Sequence, residues 1–310
     1  MPQSCIEFYC GIGGFAAAIE RFYGDRLQVT AAIDIDCGAL DVYRANFPTH
    51  RAIAAEIASF PIDRHPADLW WMSPPCLPFT RKGKQRDWDD PRASSLISLI
   101  NRLDRQSTHP RHIAIENVPP FAESKTGRWV ESRLNESGFD TAWETRCPTE
   151  DKYPMRRSRC YLLASRDGVA RAAGDEAEKW TASIELQSLK SYIDHRNDSD
   201  PQWRVSPQWL VDYAAAIDRV DPTRPEAMAS CFTSSYGRMP VRSGSYVQLD
   251  PSNRLAARYF TPEEILAMLG FPQPFRWPQS LSVRRRYAMA GNSVHVPTVA
   301  RLIGRLIGDR

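Results

Sequence analysis

Apolar positions in the first half of the chain fall into short runs separated by turns and by segments of helical period. Cys5-Ile6-Glu7-Phe8-Tyr9 predicts a strand, a glycine turn follows, Phe15 to Phe22 predicts a helix, and Val29-Thr30-Ala31-Ala32-Ile33 predicts a second strand. That is a βαβ unit. Further strands are expected at Leu69–Met72, Ile113–Ile115, Asp140–Thr145 and Cys160–Ala164, with helices at about Ser94–Leu103 and Trp129–Ser137. The alternation predicts an α/β fold built on a doubly wound, mostly parallel sheet.

Past Ser165 the pattern changes. From about Gly168 to Ala257 the chain is rich in Trp, Pro, Ser and Arg and shows no regular alternation, which predicts a second, smaller domain. Regularity returns at Thr261-Pro262-Glu263-Glu264, where Thr caps, Pro takes the first helical position and Glu264 completes a capping box. That helix is expected to run to about Leu269. Val299, Leu302, Ile303, Leu306 and Ile307 then recur at helical spacing in a last helix, Val296 to Ile307, expected to pack back on the first domain. The expected divisions are 1–167, 168–257 and 258–310.

Composition narrows the class. The chain has 310 residues, 42% hydrophobic and 25% charged, as in an ordinary globular enzyme. No apolar run approaches the ~20 residues needed to span a bilayer, and Met1-Pro2-Gln3-Ser4 lacks the pattern of a secretory signal, so a cytoplasmic protein with no membrane partner is expected. Seven scattered cysteines without zinc-knuckle spacing predict reduced thiols and no metal. A net charge of +3 is too small to argue for a nucleic-acid partner alone. Its distribution is more telling, with basic clusters at Arg81-Lys82-Gly83-Lys84-Gln85-Arg86, Arg156-Arg157-Ser158-Arg159 and Arg284-Arg285-Arg286. The last reads as a solvated face; the first suits a phosphate-gripping loop.

Three candidate chemical elements fall at strand ends. Cys76 follows Leu69–Met72 in the turn Ser73-Pro74-Pro75-Cys76, where two prolines stiffen the backbone and present the thiol as a nucleophile, against the alternative of a small core residue. Cys10-Gly11-Ile12-Gly13-Gly14 lets a ligand approach the backbone, and Asp34 ends the second strand where a ribose hydroxyl pair is accepted in nucleotide sites. The spacing GxGG, rather than GxGxxG, disfavours a dinucleotide and leaves an adenosine-containing ligand such as S-adenosylmethionine. Glu116-Asn117-Val118 follows the Ile113 strand; a partly desolvated glutamate there is suited to protonate a ring nitrogen. Arg157 and Arg159 supply donors for a planar acceptor.

In this order the pieces resemble the cytosine-5 methyltransferases over nearly the whole chain outside the middle domain. Phe8-Tyr9-Cys10-Gly11-Ile12-Gly13-Gly14 resembles the cofactor motif, Ser73-Pro74-Pro75-Cys76 the nucleophile motif, Glu116-Asn117-Val118 the acid motif, Arg156–Arg159 the arginine motif and Arg286–Val294 the last motif. The resemblance implies a Rossmann-like class I methyltransferase fold with an inserted target-recognition domain. It also implies S-adenosylmethionine as cofactor, S-adenosylhomocysteine as product, and catalysis by Cys76, Glu116, Arg157 and Arg159. Cofactor contacts are implied at Phe8, Tyr9, Gly11, Ile12, Gly13, Gly14, Asp34, Ile35, Glu56, Ile57, Pro75, Asn292, Ser293 and Val294.

Two stretches resemble the branch of the family that methylates tRNA at the anticodon-loop cytosine 38: the run from Ser73 through Thr80, Arg81 and Asp90-Pro91-Arg92, and Cys231-Phe232-Thr233 with Tyr236-Gly237 and Ser243-Gly244-Ser245. Substrate contacts are thereby implied at Thr80, Arg81, Lys82, Lys84, Asn117, Cys231, Phe232, Thr233 and Tyr236, with tRNA as partner and duplex DNA as the alternative. Leu77 and Met155 depart from the family, which commonly carries polar residues there. An inactive cofactor-binding scaffold is a third reading. A nicotinamide oxidoreductase is rejected because it leaves Cys76 and Glu116 unexplained.

Overall fold

The computed structural model describes residues 2–80, 86–103, 109–169 and 187–308. Its contacts divide the chain into two compact units, Met1–Arg146 with Ser158–Lys179 and Val296–Arg310, and Cys147–Arg157 with Trp180–His295. The expected boundaries miss this interleaving: Cys147–Arg157 joins the second unit, and of the expected C-terminal segment it is the part from Val296 onward that joins the first.

The first unit carries β1 (Gln3–Phe8), α1 (Gly14–Phe22), β2 (Leu27–Asp34), α2 (Cys37–Asn46), β3 (Ala52–Ala54), β4 (Leu69–Met72), α3 (Ser94–Asn101), β5 (His112–Asn117), α4 (Pro120–Glu123), α5 (Lys125–Glu136), β6 (Asp140–Arg146) and β7 (Arg159–Ser165). The strands form one sheet in the order β3-β2-β1-β4-β5-β7-β6. The first five run parallel, whereas β7 is antiparallel to both β5 and β6. A parallel sheet covered on both faces needs strands that are apolar throughout, and all four residues of Leu69-Trp70-Trp71-Met72 are buried. Alternation divides them. Trp70 meets Phe8 edge-on at 5.3 Å, while Trp71 stacks on Phe15 of α1 at 5.4 Å.

The cluster on the Trp70 side takes in Leu96, Leu99 and Ile100 of α3 and Val130 and Leu134 of α5. Truncating one of these leucines to Ala would cost about 2–5 kcal/mol. The segment Val296–Ile307, with the bounds expected from its periodicity, is a helix whose apolar stripe includes Val299, Leu302, Ile303 and Leu306. It packs on α1, where Tyr23 donates to Ala300 O at 2.6 Å, and Arg305 pairs with Glu144 of β6.

In the second unit, α6 (Pro207–Asp212) precedes a three-stranded sheet ordered β10-β9-β8, with β8 (Arg219–Val220), β9 (Tyr246–Gln248) and β10 (Ala257–Tyr259); α7 (Pro262–Met268) and α8 (Val283–Asn292) follow, and Val296–Ile307 is α9 of the first unit. The capping box at Thr261 forms as expected: Glu264 N donates to Thr261 Oγ1 and Thr261 N to Glu264 Oε2. Glu264 also takes two bonds of 2.9 Å from the buried Arg258.

Candidate functional site

The parallel order places the carboxyl ends of β1, β2, β4 and β5 along one edge, and the reversed direction of β7 brings its first residue, Arg159, to that same edge. The connections there are laced together. Ser73 donates from N to Phe8 O (3.4 Å) and from Oγ to Tyr9 O (3.1 Å), tying the end of β4 to β1. Asn117 Nδ2 donates to Pro74 O at 3.0 Å, tying the other side of the proline turn to β5. Cys76 therefore sits on a turn braced from both neighbours. It is half-buried and adopts helical φ/ψ before a short 3₁₀ turn at Leu77–Phe79. Pro75 and Leu77 beside it are exposed, Leu77 to 46%.

Glu116, on β5, is 7% exposed and pairs through Oε1 with Arg159 Nε at 3.1 Å. The pairing holds both groups at the edge where the Cys76 turn begins. Asn117 is buried and occupied by the turn, its Oδ1 accepting from Val118 N at 2.9 Å, so the expectation that it binds substrate gives way to a brace.

The glycine turn takes a backbone path that side chains disfavour. Gly13 has φ of 89°, and a Cβ there would stand 2.4 Å from the Phe47 ring; Gly11, at φ 51°, has no atom within 4 Å of where its Cβ would be. Tyr9 also takes a left-handed φ of 57°, and its hydroxyl meets Ser95 Oγ at 2.9 Å. Asp34 Oδ2 accepts from Gly11 N (2.8 Å) and Oδ1 from Asp36 N (2.9 Å), joining the turn to the start of α2. Burial raises the affinity of Asp34 for a proton, and the amides of Asp36 and Gly11 oppose that. Ile35, next in sequence, is 74% exposed. Glu56 is exposed, two residues beyond β3.

Several residues expected at the cofactor have buried side chains. Phe8 is wholly buried against Phe60 and Trp70, Ile12 is buried, and Ile57 belongs to the apolar cluster with 5% exposure. Gly14 is likewise buried, as the first residue of α1.

In the second unit, the guanidinium of Arg157, 3% exposed, donates to Phe232 O (2.9 Å), Gly291 O (3.1 Å) and Ser293 O (2.5 Å), and Nη1 lies 3.4 Å from Cys231 Sγ. It is a clamp on main chain, which corrects its expected role in holding the base. Phe232 and Tyr236 are also core rather than substrate contacts. Tyr236 packs within the ring cluster Tyr246, Tyr259 and Tyr287 and donates to Ser245 O at 2.6 Å. Thr233 is half-buried and engaged with Ser235 and Ser243. Met155, fully buried, bridges to Ala229. Asn292 closes α8, and Ser293 and Val294 follow it, within 9% and 5% of full burial. Gly291 is required there, since a Cβ would stand 2.3 Å from the Thr233 carbonyl carbon.

Thr80 Oγ1 donates to Leu77 O at 3.4 Å, while Arg81, Lys82 and Lys84 lie outside the described residues. Among the described residues, no group of three or more His, Cys, Asp or Glu side chains is placed to hold a metal, and no helix is long and apolar enough to cross a membrane.

Two buried carboxyls have roles that the sequence analysis does not assign. Asp90 is buried and takes a forked pair from Arg92 (Nε 2.8 Å, Nη2 2.7 Å), which lowers its carboxyl to about 2. The Asp90-Pro91-Arg92 stretch noted in the sequence is thus a local ion pair. Glu7, on β1, is buried with Tyr43 donating to its Oε2 at 3.2 Å; a lone charged residue inside an apolar strand was the sign to follow.

The sequence profile described as C-5 cytosine-specific DNA methylase matches residues 3–308. A Spodoptera frugiperda protein named tRNA (cytosine(38)-C(5))-methyltransferase is 30% identical, covering 98% of each chain. A human protein of the same name is 28% identical over 97% of this chain and 98% of its own. The crystal structure of S. pombe Dnmt2 methyltransferase superposes with a TM-score of 0.88 at 28% identity, covering 98% of both chains. A match of this extent, on a fold that sets a braced cysteine and a paired glutamate at one sheet edge, makes the chain a member of the C-5 cytosine-specific DNA methylase family and a methyltransferase.

Proposed function

We propose that this protein methylates carbon 5 of cytosine 38 in the anticodon loop of tRNA, with S-adenosylmethionine as donor. The observation that carries the chemistry is the half-buried Cys76 thiol on a turn braced by Ser73 and Asn117, beside the Glu116–Arg159 pair. The choice of tRNA over DNA is supported by full-length similarity to relatives named for that reaction.

The donor fits the first unit. Open space above Gly11 admits a close approach, the exposed Ile35 offers an apolar face for an adenine ring, and each oxygen of Asp34, though accepting one amide, keeps a lone pair for a ribose hydroxyl. When bound, S-adenosylmethionine supplies an electrophilic methyl group. Cytosine carbon 5 is too weak a nucleophile to take it unaided, so the ring must be activated.

Cys76 Sγ, as thiolate, adds to carbon 6 while Glu116 holds a proton at ring nitrogen 3, so that electron density collects at carbon 5. Arg159 fixes the Glu116 carboxylate and has the donors to steady the base carbonyl. Transfer of the carbon 5 proton to solvent after methylation expels Cys76 as thiolate, breaking the Sγ–C6 bond, and the nitrogen 3 proton returns to Glu116. A base reaches such a pocket after leaving its stack, and an unpaired anticodon-loop base does so at less cost than a base in a duplex.

The test is incubation with labelled S-adenosylmethionine and either deproteinised tRNA or duplex DNA. Label should enter tRNA, map by bisulfite sequencing to position 38, and vanish with Cys76→Ala. Label entering DNA alone would overturn the assignment.

A further inference from the structure

The second unit holds a concavity of about 430 Å³ whose walls include Arg219, Asp221, Arg224, Gln248, Pro251 and Arg254. The charged groups stand among the small apolar surfaces of Val220, Ala227 and Pro251. Three arginines face one aspartate, which leaves an excess of two positive charges on the wall.

Both walls are ordered although they are largely exposed. On one side, the turn joining β9 to β10 is fixed by Gln248, whose Nε2 donates to Asp250 O, Asn253 O and Ala256 O at 2.8, 2.9 and 3.0 Å. Asp250 Oδ1 turns back to accept from Ser252 N and Oγ at 2.8 and 2.7 Å, so its charge is spent inside the turn. Arg254 rides on this turn. Arg219, on β8, locks on from below by donating to Arg254 O at 2.9 Å and Ala214 O at 3.3 Å. On the other side, Asp221 Oδ1 accepts from Thr223 N (3.0 Å) and Oγ1 (2.6 Å), and its Oδ2 faces Arg224 Nε at 3.5 Å. Thr223 and Arg224 keep that carboxyl below its ordinary range, so it remains charged and offsets one guanidinium.

Because their turns are already hydrogen-bonded, Arg224 and Arg254 take up an anion without ordering backbone, and their forked donors match phosphate oxygens. A pocket of this size falls within the range of small-ligand sites. We propose that it grips a backbone phosphate of the tRNA, with Arg224 and Arg254 as the donors that touch the phosphate and Arg219 as the residue that positions Arg254. This rests on the tRNA reading above and adds to it a named contact in the second unit.

The experiment uses the full chain and measures binding of deproteinised tRNA by fluorescence anisotropy across a potassium chloride series, with methylation of the same tRNA followed in parallel. Arg224→Gln with Arg254→Gln should weaken tRNA binding about tenfold at low salt and make the slope of log K against log salt shallower by roughly one for each arginine removed. Turnover at saturating tRNA should stay unchanged. Asp221→Asn should act in the opposite sense and tighten binding a few-fold, a gain that misfolding does not produce. Unchanged affinity and slope in the double variant, with wild type still methylating tRNA, would overturn the phosphate assignment and leave the tRNA reading intact; methylation of DNA alone by wild type would overturn that reading instead. Inorganic phosphate and a mononucleotide are the controls for source. Weak competition by either, far above tRNA concentrations, agrees with a backbone contact, whereas tight binding of the small anion with tRNA affinity indifferent to the variants would make this a small-anion site and overturn the proposal.

Discussion

Arg157 and Arg159 stand two residues apart and do opposite things. Arg157 belongs to the second unit, where it is sealed from solvent and satisfies the carbonyls of Phe232, Gly291 and Ser293. Arg159 opens β7 in the first unit and meets a carboxylate, Glu116. A guanidinium surrounded by main-chain carbonyls is a fastener; the same group against an acidic side chain at the carboxyl edge of the parallel strands is the one we propose for the chemistry. Residue type and spacing gave no means of separating them. The acceptors do.

Substitutions that exchange these roles would break the comparison. Arg157→Met leaves three buried carbonyls without their donor and should cost on the order of 3 kcal/mol or more, read as a drop of about 10 °C in the unfolding midpoint. Arg159→Gln should leave that midpoint within about 2 °C while lowering turnover about a hundredfold. Equal loss of stability in both variants would remove the distinction. Asn117→Ala, which releases one brace of the Cys76 turn, should reduce kcat about tenfold with tRNA affinity unchanged, since a misplaced nucleophile impairs the reacting step rather than binding.

A subtler effect concerns a second contrast, between two carboxyls of the same sheet. Glu116 has an arginine; Glu7 has burial and Tyr43, and burial pushes its carboxyl up to about 8 from an ordinary 4.5. A group that holds its proton more tightly when folded favours folding fully below its unfolded value, and that contribution is lost as pH rises through the folded one. Stability of wild type should therefore fall relative to Glu7→Gln by about 1 kcal/mol between pH 6.5 and 7.5, seen in denaturant midpoints at the two pH values. Parallel pH profiles would show that Glu7 is charged in the folded protein.

Elements with a strong pattern were legible before the fold was known. Leu69–Met72 could be read because a strand buried on both faces leaves an unbroken apolar run, and Val296–Ile307 because its stripe repeats at helical spacing. By contrast, α2 and β3 were not assigned. The first interrupts its apolar residues with Gly38, Asp41, Arg44 and Asn46, and the second has three residues paired to β2. At the site, motif spacing located Cys76, Glu116, Arg159, Gly11 and Asp34 at one edge. It did not separate main-chain roles from side-chain roles, so Phe8, Ile57, Phe232 and Tyr236 were assigned to ligands although their side chains fill cores. Burial depends on tertiary neighbours, which a local pattern does not contain.

The most direct measurement is covalent capture. Full-length protein, S-adenosylmethionine and tRNA carrying 5-fluorocytosine, whose carbon 5 has no proton to lose after methylation, should give one protein–RNA adduct by intact mass. Cys76→Ala should give none while still binding the methyl donor. An adduct of equal yield from Cys76→Ala would contradict the account, because the sulfur would then not be the atom that joins the ring.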